Sequence, residues 1–272
     1  MNEIKPVKVR GIEFGSGRSK ICIPLTAKDE EELDEQLLAL EGEPYDMVEW
    51  RVDHFTDSGK QTGEIFRGGE VAVPVLISRL GELLSKIRAA IGEERVILFT
   101  FRTLEEGGER PLTPDAYETL VCAAADTGKI DIADVEYRTG PGRLGRITGY
   151  LHERGVKVLM SSHSFTETPS LDEMVSRYLQ MQVQDADITK LAVMPADRSE
   201  VARLLTAACI MQETYADTPF VAISMGKLGV LSRVGGCLTG SAITFGTAGK
   251  ASAPGQIPAE DLAKVLGILD IR

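Results

Sequence analysis

The sequence predicts an α/β fold, a (β/α)8 TIM barrel with an N-terminal β-hairpin closing the barrel bottom. Three observations predict it. After the first few residues, short apolar runs alternate with longer segments of helical periodicity, the mark of a parallel sheet. There are eight such strand–helix units in roughly 250 residues, the usual size of a closed barrel. An open doubly wound sheet, the alternative, usually carries a glycine fingerprint after its first strand, and Pro24-Leu25-Thr26-Ala27-Lys28 offers no GxGxxG. No GxxxxGK[ST] phosphate loop occurs, and no linker or low-complexity tract divides the chain, so residues 1–272 read as one domain.

Taken in order, Val7–Phe14, Gly15-Ser16-Gly17 and Lys20–Leu25 read as two short strands around a glycine turn. The regular pattern begins with a strand at Lys20–Ala27 and an acid-rich amphipathic helix over Asp29–Glu41. Met47–Asp53 is a strand, followed by a polar segment and a helix over Ile77–Gly92. Arg95–Arg102 is a strand, and Thr113-Pro114-Asp115 opens a helix to Thr127 with an N-cap and a proline in the first turn. Ile130–Arg138 is a strand and Gly142–Arg154 a helix. Lys157–Ser164 precedes a helix over Ser170–Gln184, whose Ser170 and Glu173 form a capping box. Ile188–Met194, Phe220–Met225 and Ser241–Phe245 are the remaining strands. Helices at Asp197–Tyr215, Leu228–Val234 and Pro258–Leu269 follow them.

Composition narrows the function. A net charge of -11 argues against nucleic acid and anionic membranes as partners, because phosphate backbones require a basic face. The four cysteines, Cys22, Cys122, Cys209 and Cys237, form no CxxC and read as reduced thiols. No apolar run reaches ~18 residues, and MNEIKPVKVR lacks the apolar core of a signal peptide. The expectation is a soluble, cytoplasmic protein. His, Asp and Glu do not recur at ligand spacing, so no metal and no cofactor is expected.

Barrel enzymes carry their chemistry at the C-terminal ends of strands. Period-two alternation turns Glu49, Arg51 and Asp53 to one face of their strand and Val48, Trp50 and Val52 to the other. The apolar face packs on helices, so Glu49 and Arg51 point inward, where an ion pair between them is one reading. Arg102 ends the next strand, followed by Glu105, Glu106 and the Gly107-Gly108 pair. His163 ends Lys157–Ser164, and Lys190 lies inside Ile188–Met194. Read alone, Lys190 is a strand-end lysine with its head in solvent. Beside Arg51, Arg102, Arg233 and His163 in one barrel mouth it reads differently. Converging arginines call for an anion, and their fork fits a carboxylate. Burial and neighbouring cations favour a neutral amine, the form that attacks ketones to give a Schiff base. His163 is a proton carrier suited to neutral pH. The residues alone leave aldol cleavage, transaldol chemistry and dehydration open.

The motifs Glu49-Trp50-Arg51-Val52-Asp53-His54-Phe55, Phe99-Thr100-Phe101-Arg102 with Glu106-Gly107-Gly108, Ser162-His163-Ser164-Phe165, Lys190-Leu191-Ala192-Val193-Met194-Pro195 and Ala251-Ser252-Ala253-Pro254-Gly255-Gln256 together resemble type I 3-dehydroquinate dehydratase. The matches run in the family's order over nearly the whole chain. The resemblance implies a (β/α)8 barrel, usually a homodimer, that dehydrates 3-dehydroquinate to 3-dehydroshikimate by syn elimination in the shikimate pathway, without metal or cofactor. It implies that Lys190 forms the Schiff base, His163 is the general acid/base and Glu106 orients the histidine. It puts substrate binding on Glu49, Arg51, Arg102, Arg233, Ser252 and Gln256, with Arg233 on the carboxylate. Two positions depart from the pattern. Pro24 stands where a serine is common, and Ser162 where some relatives have asparagine.

Two other functions compete. The glycines of Gly226-Lys227-Leu228-Gly229 and Gly246-Thr247-Ala248-Gly249-Lys250 would suit a sugar-phosphate aldolase or transaldolase, which holds phosphate at the last two loops. A non-catalytic barrel would be expected to lack part of the Glu106, His163, Lys190 trio. Gly249, Pro254 and Gly255 read as hinges of a lid carrying Ser252 and Gln256.

Overall fold

Alternation along each strand builds the barrel. The computed structural model describes residues 4–56, 66–67, 70–249 and 255–270. Val7–Val9 (β1) and Ile12–Phe14 (β2) pair antiparallel. Lys20–Leu25 (β3), α1 (Glu30–Leu38) and Met47–Arg51 (β4) form the first parallel unit. Phe66–Arg67 (β5) and Glu70–Val71 (β6) make a small antiparallel pair before α2 (Val73–Ile91). Next come Val96–Thr100 (β7), α3 (Pro114–Asp126), Ile132–Glu136 (β8), α4 (Pro141–Glu153) and Lys157–Ser164 (β9). They are followed by α5 (Leu171–Val183), Ile188–Val193 (β10), α6 (Arg198–Ile210) and Phe220–Ser224 (β11). Short helices α7 (Val230–Val234) and α8 (Gly236–Thr239) lead to Ile243–Thr247 (β12), Ile257–Pro258 (β13) and α9 (Ala259–Leu269).

The strands lie side by side in the order β11-β10-β9-β8-β7-β4-β3-β12-β13, every pairing parallel. The sheet curls until β11 meets β12, where the Ala242 amide donates to the Phe220 carbonyl at 2.7 Å and the Ala222 amide to Ser241 Oγ at 3.1 Å. That seam closes the expected barrel.

Outward-facing residues such as Val48, Trp50, Ile97, Phe99 and Val158 pack on the helices in one continuous core. Inward-facing Met47, Leu98, Ile132, Leu159, Ile188 and Val221 fill the lower barrel, and Val9 and Phe14 of the hairpin cover them from below. Sequence and structure differ over the hairpin turn. It falls at Arg10-Gly11, both at positive φ, rather than at Gly15-Ser16-Gly17, which instead connects the hairpin to β3. The strands read as running on to Asp53, Arg102 and Arg138 stop two residues earlier. Two of those ends turn at once into single 3-10 turns, at Val52–His54 and Tyr137–Thr139. Thr113 and Ser170 cap their helices as expected. The Glu173 carboxylate, however, pairs with Arg177 at 2.7 Å instead of completing a capping box.

Candidate active site

Above the apolar floor, the same alternation continues in polar residues. Glu49 and Arg51, Asp134 and Glu136, Ser161 and His163, and Lys190 all face the upper barrel, where a cavity opens at the C-terminal ends of the strands. Lys190 sits near the middle of β10, opposite Ser161 on β9 and Val221 on β11. It is only 5 % exposed, so its head does not reach solvent. Its Nζ lies 4.0 Å from Glu49 Oε1 and 4.3 Å from the centroid of the Phe245 ring. Thr100 Oγ1 donates to the same Glu49 oxygen at 3.0 Å and fixes the carboxylate.

Glu106 is delivered by the loop after β7. A 3-10 turn, Leu104–Glu106, ends at Gly107 with φ +80, a conformation that glycine adopts without penalty. A Cβ at Gly108 would collide with the Arg102 carbonyl, so the tight return of the chain needs both glycines. Glu106 Oε2 receives the His163 backbone N–H at 3.1 Å and lies 2.9 Å from His163 Nδ1. An oxygen already accepting one N–H is best matched by a second donor, which assigns the proton to Nδ1 and leaves the Nε2 lone pair free. Phe165 stacks beside the imidazole, with ring centroids 6.4 Å apart.

Burial sets the protonation of this couple. It pushes Glu106 up to about 8, with Glu136 and Asp134 adding to the rise and Arg102 opposing it. Burial also holds His163 well below its ordinary value, helped by the charges of Arg102, Lys190 and Arg51. The imidazole is therefore a neutral base at physiological pH.

The three arginines differ. Arg102 is enclosed: Nη2 donates to Asp134 at 2.6 Å, Nη1 to Glu136 at 3.0 Å and to Ser161 Oγ at 2.9 Å. Arg51 makes a bidentate pair with the fully buried Asp53, at 2.8 and 2.7 Å, and not with Glu49. The reason is local: the 3-10 turn after β4 swings Asp53 beneath the guanidinium, where it also accepts the Arg102 amide at 3.2 Å. Arg233 has no carboxylate partner among the described residues. Its Nη1 reaches only the Phe245 carbonyl at 3.4 Å, its Nε is unsatisfied, and burial pulls its pKa down. Thr244 Oγ1 donates to the Arg233 carbonyl at 2.7 Å and ties α7 to β12.

The structure thus gathers Glu49, Arg51, Arg102, Glu106, His163, Lys190, Arg233 and Gln256 around one cavity. Ser252 lies outside the described residues, as do Lys250 to Pro254 of the expected lid. Pro24 lines the cavity, whereas Ser162 points away from it and accepts from Arg177 at 3.2 Å. Sequence reasoning passed over Asp134, Glu136 and Ser161, although the period-two rule applied to Ile132–Glu136 would have turned both acids inward. It also passed over Phe245, whose ring lies under the lysine. Among the described residues no group of three or more His, Cys, Asp or Glu is arranged to hold a metal ion.

Comparison with known proteins gives a consistent result. The family model described as Type I 3-dehydroquinase matches residues 21–272. The chain is 41 % identical over 268 residues to a 3-dehydroquinate dehydratase of Escherichia coli (strain SE11), covering 98 % of this chain and 99 % of that one. The type I 3-dehydroquinate dehydratase of Clostridium difficile, solved with covalent modified comenic acid, superposes with a TM-score of 0.88 at 37 % identity, covering 98 % of both chains. The 3-dehydroquinate dehydratase of Geobacillus kaustophilus gives 0.87 at 32 % identity, covering 99 % of this chain and 98 % of that one. With the barrel, the buried lysine and the histidine–glutamate couple in place, the chain belongs to the type I 3-dehydroquinase family.

Proposed function

We propose that this chain dehydrates 3-dehydroquinate to 3-dehydroshikimate by syn elimination through a Schiff base on Lys190. The observation that carries the reading is a buried amine lining one cavity with a neutral histidine base and a guanidinium that has no carboxylate partner among the described residues. The C. difficile relative, solved with covalent modified comenic acid, is consistent with covalent chemistry in the family.

In this reading the Lys190 amine attacks the C3 ketone, and loss of water gives an iminium. The iminium draws electrons from the C2–H bond. His163 Nε2 takes the C2 proton, and the resulting enamine expels the C1 hydroxyl, which leaves as water with the proton returned by His163. A water molecule then adds to the iminium and releases product and lysine. Glu106 accepts from Nδ1 and holds the ring with Nε2 free for the C2 proton. Arg233, the buried guanidinium with no carboxylate partner among the described residues, takes the substrate carboxylate. Arg51 and Arg102 are already neutralised by protein acids, so their remaining N–H donors suit ring hydroxyls rather than a second anion. Glu49, Gln256 and Ser252 complete the hydroxyl contacts.

Sodium borohydride added with 3-dehydroquinate should fix one reduced adduct on Lys190, read by mass spectrometry of the peptide. An actively dehydrating protein that yields no adduct would exclude the imine route. The reading also carries an expected cytoplasmic homodimer, and light scattering checks its molar mass.

A further inference from the structure

Above the floor, the barrel buries a group of acids that the elimination does not use. Asp134 is fully buried and Glu136 is 1 % exposed. Both lie on β8 and pair with the Arg102 guanidinium. Arg102 donates to Asp134 at 2.6 Å and to Glu136 at 3.0 Å, yet its nearest approach to Glu106 Oε2 is 3.6 Å, too long for a hydrogen bond. Glu136 is itself fixed, accepting the Thr103 amide at 2.8 Å and Thr103 Oγ1 at 2.6 Å, while Tyr117 OH accepts the Glu136 amide at 3.0 Å. Ser161 Oγ bridges, donating to Asp134 at 2.7 Å and accepting from Arg102.

We propose that Asp134 and Glu136 are positioning residues for the His163–Glu106 couple: they draw the Arg102 guanidinium off Glu106, so that the imidazole and not the arginine is the group Glu106 serves. If Arg102 closed the gap to Glu106, a bidentate arginine–carboxylate pair would form, and such a pair outcompetes a neutral imidazole for a carboxylate. The two acids also face Glu106 with like charge.

The groups around Glu106 come from each neighbouring element. Arg102 follows β7, Asp134 and Glu136 lie on β8, and His163 lies on β9. Lys190 on β10 and Arg51 on β4 act on the imidazole. Burial pushes Glu136 upward as well, but the Arg102 charge and both Thr103 donors favour its ionised form.

The proposal deepens the dehydratase reading, and its test does not depend on turnover. The chain has three histidines, so the His163 ring signals are assignable by NMR in the substrate-free protein. Their inflection with pH reports Glu106, which burial holds near 8. Glu136→Gln keeps a side chain of the same shape and an acceptor for the Thr103 amide. It is expected to move that inflection to lower pH by roughly one unit or more, as Arg102 turns to Glu106. Asp134→Asn offers a second route and should move it the same way. Ser161→Ala removes a neutral bridge and should leave the inflection in place. The pH profile of kcat should follow the NMR shift in Glu136→Gln. An unmoved inflection in folded Glu136→Gln and Asp134→Asn overturns the positioning role. So does an equal shift in Ser161→Ala, which would mark general loosening. Lack of turnover in the unmodified chain would instead break the dehydratase reading and leave the NMR result standing.

Discussion

The lower and upper halves of the barrel interior are made by the same strands and have opposite chemistry. On β8, Ile132 belongs to the floor, and Asp134 and Glu136 to the mouth. On β9, Leu159 gives way to Ser161 and His163, and on β10 Ile188 gives way to Lys190. One step of two residues moves from a dry plug to a buried charge network. The floor contributes stability through apolar burial, at about 25 cal/mol per Å². The mouth holds ions whose desolvation costs as much as their pairing returns, so its arrangement makes sense only as a site. Folding and chemistry are separated along the barrel axis, and that separation can be attacked at either end.

The largest effect is expected from Lys190→Ala, which should remove turnover and the borohydride adduct together while circular dichroism and thermal melting stay close to the parent. His163→Ala should follow, losing roughly 10²- to 10⁴-fold in kcat, the usual weight of a general acid/base. Retention of near-full kcat would reassign the base. At the other end, Leu159→Ala should cost about 2–5 kcal/mol in denaturant unfolding, because it opens a cavity in the plug. Its KM should hardly change if floor and mouth are separate.

Arg233→Met sharpens the comparison. It should raise KM about tenfold or more by removing a charge-assisted contact. It should also leave the protein as stable or more so, since a buried guanidinium without a carboxylate is costly. Glu106→Gln tests the couple through stability. Glu106 rises from an ordinary 4.5 to about 8 when folded, so between those values the folded chain holds a proton that the unfolded chain has shed. Stability from this group is present at low pH and lost as pH climbs toward 8, on the order of a few kcal/mol. Urea midpoints measured across that range should therefore fall with pH in the parent and fall less in Glu106→Gln. The smallest effect is expected for Arg154→Ala, at the C-terminal cap of α4, whose urea midpoint should stay close to the parent despite its pair with Asp126.

Much of this was legible before any coordinates. Periodicity predicts the strand–helix alternation, and period two turns Glu49 and Arg51 inward because the Val48, Trp50, Val52 face is apolar enough to define the other. The pairing among the inward residues was not legible. A Glu49–Arg51 ion pair is one reading of the alternation, but a 3-10 turn brings Asp53 beneath Arg51 instead. Turns of this kind leave no periodic trace, and neither does the Arg10-Gly11 hairpin, which lacks the usual Asn-Gly or Asp-Gly signal. Asp134 and Glu136 escaped for another reason. They alternate in Ile132-Ala133-Asp134-Val135-Glu136, which scans as an unremarkable strand until Arg102 supplies the counter-charge from the segment after β7.

The seam between β11 and β12 bears on how the protein is made. β12 pairs with β3, which is synthesised first among the barrel strands, and the same strand carries Thr244, which anchors the Arg233 helix. Until Ile243–Thr247 has left the ribosome, β3 and β11 are bare sheet edges with unpaired amides and carbonyls, open to pairing with other chains. A chain cut before Ile243 is therefore expected to aggregate, even with Glu106, His163 and Lys190 already present. Ring closure is the last step that turns a sticky sheet into an enzyme.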